Sequence, residues 1–320
     1  MNDIAADIAR AAALLEGAER IVVSGHVRPD GDALGSMVAL AGAARQAGKS
    51  AFATFGEPFV VPRAYSFLDQ STLVPPDSDF GPIDVLVACD TAAPDRLGSV
   101  AALAEAARSV LVVDHHISND GFGDVAIIDP AAAATAQLVY RLILALEWKL
   151  TPSVATALYA GLVTDTGRFQ YSSTTAEVHH MAAALIDAGV RPDEVGQRLY
   201  AETPFGYLRV AGAVLERAVL DRDTALVWSV LYEEDLAAAG IDHEDAEALI
   251  DLIRIAEEAE VACLLKEVEE GVTKGSLRSR GRVDVAAVAA ALGGGGHHNA
   301  AGFTYEADPE RVIELVRRRL

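Results

Sequence analysis

Short apolar runs alternate with amphipathic stretches along the first half of the chain. Five runs rich in β-branched residues are short enough to be buried strands: Ile21–Ser24, Ala51–Phe55, Val85–Cys89, Val110–Val113 and Val125–Ile128. Helical composition and spacing occur between them, at Ala33–Gly48, Asp95–Arg108 and Ala134–Leu146. This alternation predicts an α/β domain built on a doubly wound parallel sheet.

The second half predicts more helices and then a smaller α/β domain. A helical block runs from Thr151 through Gly189, interrupted by the segment TDTGRFQYSS, and a helical connector follows Pro192. The elements predicted after it are strands Ala225–Leu231 and Ala262–Glu267, an acidic helix Asp242–Glu260 between them, strand Gly275–Ser279, helix Val283–Leu292 and strand Gly302–Tyr305. We therefore expect a first domain over residues 1–195, a connector over 196–220 and a second domain over 221–320.

Composition and the N-terminal pattern indicate a cytoplasmic globular enzyme. Apolar residues make up 51% and charged residues 23% of the chain, which is typical of a folded domain. The N-terminus is acidic where a secretory signal would be basic, and no apolar run reaches the roughly 18 residues of a membrane span. Cys89 and Cys263 are far apart in sequence, so core thiols are expected rather than a disulfide or a zinc site.

The net charge limits the ligands that the protein can bind. Acidic residues number 47 and basic residues 26, which gives a formal charge of −21. This balance argues against an extended basic groove for long nucleic acid. Any polyanion should therefore be short and held locally.

Acidic and imidazole side chains follow several of the predicted strands. The carboxyl ends of parallel strands form one ligand-binding edge in open α/β sheets, so these side chains are expected to converge there. The candidates are His26, Asp30, Asp32, Asp90, Asp114, His115 and His116, together with Asp165, which ends an apolar helical stretch and is expected to reach the same edge. Taken singly, Asp32 has an ordinary alternative as a helix cap, and Asp90 and Asp114 as turn formers.

Taken together, these side chains predict a metal site. Oxygen-rich donors with a few imidazoles suit Mn²⁺ or Mg²⁺ better than structural zinc, which prefers thiolates and histidines. Two ions about 3.5–4 Å apart need a carboxylate that bridges them, and together they can bind both the attacking and the leaving oxygen of a phosphate ester.

The motifs GHVRPDGDALGS, VACDTA, VVDHHISND and GLVTDTGRFQ resemble those of the DHH phosphoesterase superfamily, which is named after the triplet found here at Asp114–His116. The segment GGGGHHNAAG, Gly293–Gly302, resembles the signature of the associated DHHA1 domain. The two resemblances together span nearly the whole chain.

The resemblance implies a role for each matching residue. It implies two manganese ions per chain, with magnesium as the alternative. One ion would be held by His26, Asp30 and Asp90, and the other by Asp32, Asp90, His115 and Asp165. Catalytic roles fall to Asp90 as the bridge, to His116 facing the scissile phosphate, and to Asp114 orienting the adjacent histidines.

The second domain is expected to bind the substrate. Successive glycines allow close backbone approach to an anion and can present amide hydrogens to it, although a flexible loop is the ordinary alternative. The predicted substrate-binding residues are Arg278, Arg280, Gly294, Gly295, Gly296, His297 and His298. Many relatives carry Lys or Arg where His298 stands, so phosphate affinity may vary with pH there. Arg168 could contact either the substrate or a surface carboxylate.

Within the superfamily, a DHH domain followed directly by DHHA1 resembles the bacterial nanoRNase and pAp phosphatase group. This implies metal-dependent hydrolysis of phosphate esters in short oligoribonucleotides, pApA and pAp. Two alternatives stay open: a cyclic di-AMP phosphodiesterase and a nucleotide-binding regulator without catalysis. We expect short nucleotides as partners, no long nucleic acid and no membrane, and the sequence leaves a homodimer open.

Overall fold

A computed structural model describes residues 3–243 and 245–320. Glu244, which falls within the predicted acidic helix, and the first two residues lie outside the described residues. The described chain forms two compact units that divide between Glu202 and Thr203, and each contains one sheet.

The first unit contains a five-stranded parallel sheet in the order β2-β1-β3-β4-β5. Its strands are β1 (Arg20–Ser24), β2 (Ser50–Thr54), β3 (Val85–Cys89), β4 (Ser109–Asp114) and β5 (Val125–Ile128). Its helices are α1 (Ile4–Gly17), α2 (Gly31–Gln46), α3 (Ala101–Ala106), α4 (Thr135–Ala145), α5 (Pro152–Asp165), α6 (Ala176–Asp187) and α7 (Pro192–Tyr200). The predicted doubly wound α/β fold is confirmed.

Alternate residues of the central strands bury opposite faces of this sheet. Val23 and Val87 belong to the large core that includes α2, α4 and α5, whereas Val22 and Leu86 pack into a smaller core with Leu97. Side chains alternate across a strand with a period of two, so a strand covered on both sides must be apolar throughout. This explains the continuous apolar runs in the sequence.

The second unit contains a six-stranded mixed sheet in the order β10-β11-β9-β8-β7-β6, in which only the β7–β8 pairing is parallel. Its strands are β6 (Val219–Asp221), β7 (Leu226–Leu231), β8 (Val261–Glu269), β9 (Val272–Ser279), β10 (Gly295–His297) and β11 (Ala300–Tyr305). Its helices are α8 (Phe205–Glu216), α9 (Glu233–Ala239), α10 (Ile250–Ile253), α11 (Val285–Ala290) and α12 (Pro309–Arg317). Helices α11 and α12 contribute to the core on one face, and α8, α9 and α10 to the core on the other.

The predicted helix Asp95–Arg108 is wrong in its first half. A 3₁₀ segment, Pro94–Val100, precedes the short helix α3. Gly98 has a φ of 58°, and a β-carbon at this position would lie 2.4 Å from Cγ1 of Val27. The backbone therefore turns out of the helical conformation at a position that only glycine can occupy.

The predicted acidic helix Asp242–Glu260 is also wrong over most of its length. Among its described residues, only the 3₁₀ turn Glu247–Leu249 and α10 are helical. Their apolar side chains pack into the core of the second unit, while Glu257 and Glu258 remain exposed. Like charges close together disfavour a continuing helix, and no apolar face compensates for them there.

The predicted connector contains parts of two helices. Helix α7 belongs to the first unit and α8 to the second, and Pro204 directly precedes α8. In the described part of the chain, no helix has both the length and the apolar character needed to cross a membrane.

Candidate metal centre and substrate-binding residues

Three neighbouring strands of the first sheet bring acidic and imidazole side chains to one edge. His26 follows β1, Asp90 follows β3, and Asp114 is the last residue of β4. These strands are adjacent in the order β1-β3-β4 and all run in the same direction. Their carboxyl ends therefore meet, as the sequence pattern indicated.

The start of α2 places two further carboxylates. Asp30 caps the helix, because its Oδ1 accepts hydrogen bonds from the backbone N–H groups of Asp32 (3.0 Å) and Ala33 (3.1 Å). Asp32 is fully buried and accepts from the N–H groups of Thr135 (2.5 Å) and Ala136 (2.8 Å), at the start of α4. The local cap that we considered for Asp32 is thus made by Asp30.

Close packing of α2 against α5 brings Asp165 to the same place. A β-carbon on Gly35 would lie 2.3 Å from a backbone oxygen of α5, and one on Gly161 would lie 2.9 Å from Oδ1 of Asp32. Glycine at these positions lets the two helices approach. Asp165, the last residue of α5, then lies with Oδ2 3.1 Å from Nε2 of His115.

The side chains form two groups that share Asp90. In the first group, Nε2 of His26 lies 3.8 Å from Oδ1 of Asp30 and 3.6 Å from Oδ2 of Asp90. In the second, Nε2 of His115 lies 3.7 Å from Oδ1 of Asp90 and 3.9 Å from Oδ2 of Asp32. Within each group of three residues, the potential ligand atoms all lie within 4.8 Å of one another. Each oxygen of Asp90 thus faces a different group.

Backbone carbonyls orient both histidines. Nδ1 of His26 lies 2.9 Å from the carbonyl oxygen of Val27, and Nδ1 of His115 lies 3.2 Å from that of Ala132. When Nδ1 carries the proton and donates it to the carbonyl, the lone pair of Nε2 faces the carboxylates. This is the tautomer that a metal ligand requires.

Asp114 organises the other side of the centre and is itself fully buried. Its Oδ1 accepts hydrogen bonds from Nδ1 of His116 (2.7 Å) and the N–H of His115 (2.9 Å), and its Oδ2 accepts from Nδ2 of Asn119 (2.6 Å). Because Nδ1 of His116 is bonded to Asp114, it is Nε2 that His116 can direct to another group.

Nearby carboxylates raise the pKa of both histidines in the two groups. Burial disfavours the protonated imidazole of His26, but the nearby carboxylate of Asp30, with that of Asp90, outweighs it and raises the pKa to about 9. Burial also opposes protonation of His115, yet the close carboxylate of Asp165, with those of Asp32 and Asp90, raises its pKa to about 11. Both imidazoles therefore lie in a field that attracts a cation.

Two of the carboxylates have raised pKa values. Burial and the charge of Asp30 raise the pKa of Asp90 to about 6. Burial and the charges of Asp90 and Asp165 raise the pKa of Asp32. Carboxylates this crowded repel one another, and divalent cations would supply the positive charge that they lack. Carboxylate oxygens with imidazole nitrogens fit Mn²⁺ or Mg²⁺ by donor type.

In the second unit, the glycine run forms an edge strand instead of a flexible loop. Strand β10 pairs with β11, and a β-carbon on Gly294 would lie 2.1 Å from the carbonyl oxygen of Gly302. The N–H groups of Gly293 and Gly294 donate to carbonyl oxygens at the end of α11. The Gly294 amide therefore already has an acceptor within the unit, and its predicted anion-binding role stays a prediction. Gly295 has open space around it, and a β-carbon on Gly296 would lie 2.5 Å from the carbonyl oxygen of Ala300.

The predicted basic residues of this unit have different surroundings. Arg278 is half-buried on β9, and one guanidinium nitrogen donates to the carbonyl of Leu277 (3.0 Å). Arg280 donates to the carbonyl of Ala256 (2.9 Å), which ties down the preceding loop. Nε2 of His298 lies 3.0 Å from the carbonyl oxygen of Gly281, so its ring is also engaged within the protein, while His297 is exposed.

A recess in the second unit adds a residue that the sequence did not single out. It is small and shallow, and it is lined by Arg254 together with Arg278, Arg280 and Glu260. In the sequence, Arg254 is distinguished only by being a basic residue within an acidic segment. Three guanidinium groups and the carboxylate of Glu260 line this recess, and each guanidinium also has a partner within the unit.

The sequence patterns also did not indicate two residues that hold the side chains of the metal centre in place. Thr135 lies at the start of α4, and Asn119 follows Asp114 in the loop after β4. Asn119 also donates to the carbonyl oxygen of Thr91, at 3.0 Å. Asn119 had a weak signal, because it is a polar residue in the segment DHHISND, whereas Thr135 had none.

Comparisons with known proteins agree with this arrangement. The profile described as "DHH family, N-terminal domain" matches residues 20–162, and the profile of the DHHA1 domain matches residues 224–319. The bifunctional oligoribonuclease and PAP phosphatase NrnA of Thermus thermophilus is 38% identical over 310 residues, which cover 94% of this chain and 90% of that protein. The chain belongs to the DHH family.

Two further relatives extend the comparison. The cyclic-di-AMP phosphodiesterase GdpP of Geobacillus thermodenitrificans is 27% identical over 312 residues, which cover 89% of this chain and 44% of that protein. The crystal structure of an exopolyphosphatase-related protein from Bacteroides fragilis has a TM-score of 0.91 and 25% identity. That similarity covers 100% of this chain and 98% of the other.

Proposed function

We propose that the chain is a two-metal-dependent phosphoesterase that hydrolyses phosphate esters in short oligoribonucleotides, in pApA and in pAp. The sharing of Asp90 carries this proposal, because Oδ2 lies 3.6 Å from Nε2 of His26 and Oδ1 lies 3.7 Å from Nε2 of His115. A carboxylate in this position can bridge two cations. The similarity to NrnA over 90% of its length supports the substrate class.

The two groups of side chains indicate which residues would hold each ion. His26, Asp30 and Asp90 would hold one ion, and the second would be held by Asp32, Asp90, His115 and Asp165. We propose manganese as the native metal, with magnesium as the alternative. When bound, the ions would supply the positive charge that attracts the phosphate and would lower the pKa of a water molecule.

His116 would protonate the leaving oxygen. Burial disfavours its imidazolium, but the hydrogen bond to Asp114 and the charge of Asp90 outweigh burial and raise the pKa of His116. The protonated ring then donates through Nδ1 to Asp114 and keeps the Nε2 proton for the substrate. Asp114 thus acts by orienting the ring, and its own pKa is lowered, because the bonds from His116 and Asn119 outweigh its burial.

The second unit would bind the rest of the nucleotide. Arg278 and His297 are the candidates, since one is half-buried beside the arginine-lined recess and the other is exposed on β10. Binding energy from a remote phosphate can position the scissile bond as well as tighten binding. The formal charge of −21 supports the expectation that long RNA is a poor substrate.

A substrate panel tests this function. The metal-free protein, reconstituted with Mn²⁺, would be assayed on pAp, pApA, cyclic di-AMP and RNAs of two to five nucleotides, and kcat/KM compared. We expect the highest values for pApA, pAp and the shortest RNAs, and no turnover with chelator. Turnover that does not depend on metal would contradict the two-metal mechanism, and absence of turnover on every substrate would leave a nucleotide-binding regulator.

Cyclic di-AMP phosphodiesterase activity is the second candidate. The similarity to GdpP, which covers 89% of this chain, favours it. The same metal centre could open a cyclic dinucleotide, so the two functions differ only in substrate preference. A kcat/KM for cyclic di-AMP that exceeds the value for pApA by an order of magnitude would favour this alternative.

A further inference from the structure

The turn after Asp165 contains three consecutive residues in the left-handed region. The φ angles are 55° at Gly167, 63° at Arg168 and 63° at Phe169. This conformation is ordinary for glycine but unfavourable for residues with a β-carbon. Such strain persists only where the surrounding structure enforces it, and it is concentrated at functional sites.

Hydrogen bonds to the end of α5 hold this turn. The N–H of Arg168 donates to the carbonyl oxygen of Val163 at 2.8 Å, and the N–H of Phe169 donates to Oγ1 of Thr166 at 3.2 Å. The chain therefore folds back over the last turn of the helix that carries Asp165. This fold-back keeps the backbone of Arg168 against the end of the helix that carries Asp165.

The guanidinium of Arg168 is stacked on an aromatic ring. Its central carbon lies 3.9 Å from the ring centroid of Tyr200, and the Tyr200 hydroxyl donates to the same Val163 carbonyl at 3.3 Å. Stacking fixes a guanidinium while its N–H groups, which lie in its plane, stay available to acceptors. Within residues 3–243 and 245–320, Arg168 forms no ion pair with a carboxylate.

Tyr65, Phe169 and Tyr200 all pack against the large core of the first unit. Burial raises the pKa of the Tyr65 hydroxyl, with further contributions from the charges of Asp30, Tyr200 and Asp165. The Arg168–Tyr200 pair thus lies beside the end of α5, in the same unit as the metal centre.

The charges at the metal centre indicate a role for the stacked Arg168. Two divalent ions offset the four carboxylates of Asp30, Asp32, Asp90 and Asp165, but they leave the charge of an incoming phosphate unmatched. We propose that Arg168 is a substrate-binding residue that contacts the non-bridging oxygens of the scissile phosphate, and that the left-handed turn and Tyr200 hold it in place. This inference rests on the proposed phosphoesterase function.

The substitution Arg168→Asn tests the proposal without disturbing the turn. Asparagine tolerates positive φ better than arginine does, so the variant should keep or raise the melting temperature while it loses the guanidinium. Arg168→Lys keeps the charge but loses the planar fork. Arg191→Gln is the matched control, because it removes an exposed arginine of the same unit that pairs with Asp193.

The variants would be assayed with Mn²⁺ on pApA and on bis(p-nitrophenyl) phosphate, which has no second nucleotide. We expect Arg168→Asn to lower kcat/KM by roughly 10- to 100-fold on both substrates, with unchanged bound metal. Arg168→Lys should recover only part of the loss, and Arg191→Gln should match wild type. Unchanged kcat/KM, a loss confined to pApA, or a parallel loss of metal would each overturn the proposal.

Binding of inorganic phosphate gives a readout that does not depend on turnover. Calorimetric titration of the manganese-loaded proteins should show at least about tenfold weaker phosphate binding in Arg168→Asn than in wild type or Arg191→Gln. Equal phosphate affinity in all three proteins would refute the contact. If wild type hydrolysed none of the panel, the proposed function would fail by itself, and this titration would still decide the role of Arg168.

Discussion

The hydroxyl of Thr135 donates a hydrogen bond to Oδ1 of Asp90 at 3.0 Å, between two fully or almost fully buried side chains. The N–H of the same threonine donates to Oδ2 of Asp32 at 2.5 Å. One residue at the start of α4 therefore orients two carboxylates, one at the start of α2 and the other after β3. The positive end of the α4 dipole adds to their stabilisation.

Replacement of Thr135 by valine should weaken the metal centre. Valine has nearly the same shape but lacks the hydroxyl, so the Asp90 carboxylate loses a partner that orients it. We expect metal affinity or kcat/KM to fall by about 10- to 100-fold, as is typical for groups that support metal ligands. Thr135→Ser retains the hydroxyl and serves as the control. Equal metal titrations for the valine and serine variants would show that the hydrogen bond is dispensable.

Asp90→Asn should abolish most of the activity while the fold remains intact. A neutral amide cannot hold two dications together, so we expect kcat to fall by roughly three orders of magnitude or more. Metal analysis should find fewer than two ions per chain, and circular dichroism should match wild type. Wild-type turnover in this variant would eliminate a bridging role for Asp90.

The two adjacent histidines should respond differently to truncation. His115→Ala removes a side chain whose Nε2 faces Asp90 and Asp165, so it should lose or weaken one ion. His116→Ala should keep both ions and lower kcat by about 10²- to 10⁴-fold, the usual contribution of a general acid. Metal content and kcat would be measured on both variants. Similar metal loss in the two would mean that the roles are wrongly assigned.

Substitutions in the second unit should separate nucleotide recognition from chemistry. We expect Arg278→Ala or His297→Ala to lower kcat/KM for pApA by roughly 10- to 1000-fold, or about 1.4–4 kcal/mol, with much less effect on an aryl phosphodiester. Arg222→Ala, an exposed arginine of the same unit, is the control. Equal losses of kcat/KM on both substrates would contradict the assignment of the second unit to nucleotide recognition.

Arg280→Ala should instead affect stability, because its guanidinium donates to the carbonyl oxygens of Ile255 and Ala256. Loss of these hydrogen bonds is expected to cost about 0.5–1.5 kcal/mol. Thermal unfolding of Arg280→Ala beside Arg278→Ala would compare the two arginines. If kcat/KM fell only for pApA and the melting temperature did not change, Arg280 would instead be a substrate-binding residue.

The pairing of Glu247 with the buried Lys266 makes the stability of the second unit depend on pH. Lys266 is 1% exposed, and its Nζ lies 3.2 Å from the Glu247 carboxylate, which also bonds Lys274. Burial opposes ionisation of Glu247, but the two lysines outweigh it and lower its pKa. A lowered carboxyl pKa contributes stability above the unfolded value of about 4.3, and that stability is lost as pH falls through the folded pKa.

Glu247→Gln should therefore destabilise the protein at neutral pH. The free energy of unfolding of the variant should also change less as the pH is lowered. We expect a loss of about 1–3 kcal/mol, below that for a fully buried pair, because the glutamate is half-exposed. Combining it with Lys266→Met should restore much of the loss, since no buried charge is then left alone. Urea unfolding at several pH values would measure both effects, and no recovery in the double variant would refute the pairing.

The sequence alone determined the parallel sheet, the strand ends and the candidate ligands. Each of these follows from a local pattern. Strands buried on both faces must be apolar throughout, and ligands of open α/β sheets lie where such strands end. The positions of His26, Asp90 and Asp114 could therefore be predicted from the residues just before them.

The tertiary structure decided how the residues of the site are supported. Asp32 accepts a hydrogen bond from the N–H of Thr135, 103 residues away, and the first two glycines of the run donate their N–H groups to α11. Arg168 acquired Tyr200 as its partner only because α7 packs in the first unit. Periodicity and capping patterns describe neighbours within a few residues, whereas these contacts depend on which helices pack together, and that is set by the burial of apolar surface across the whole unit.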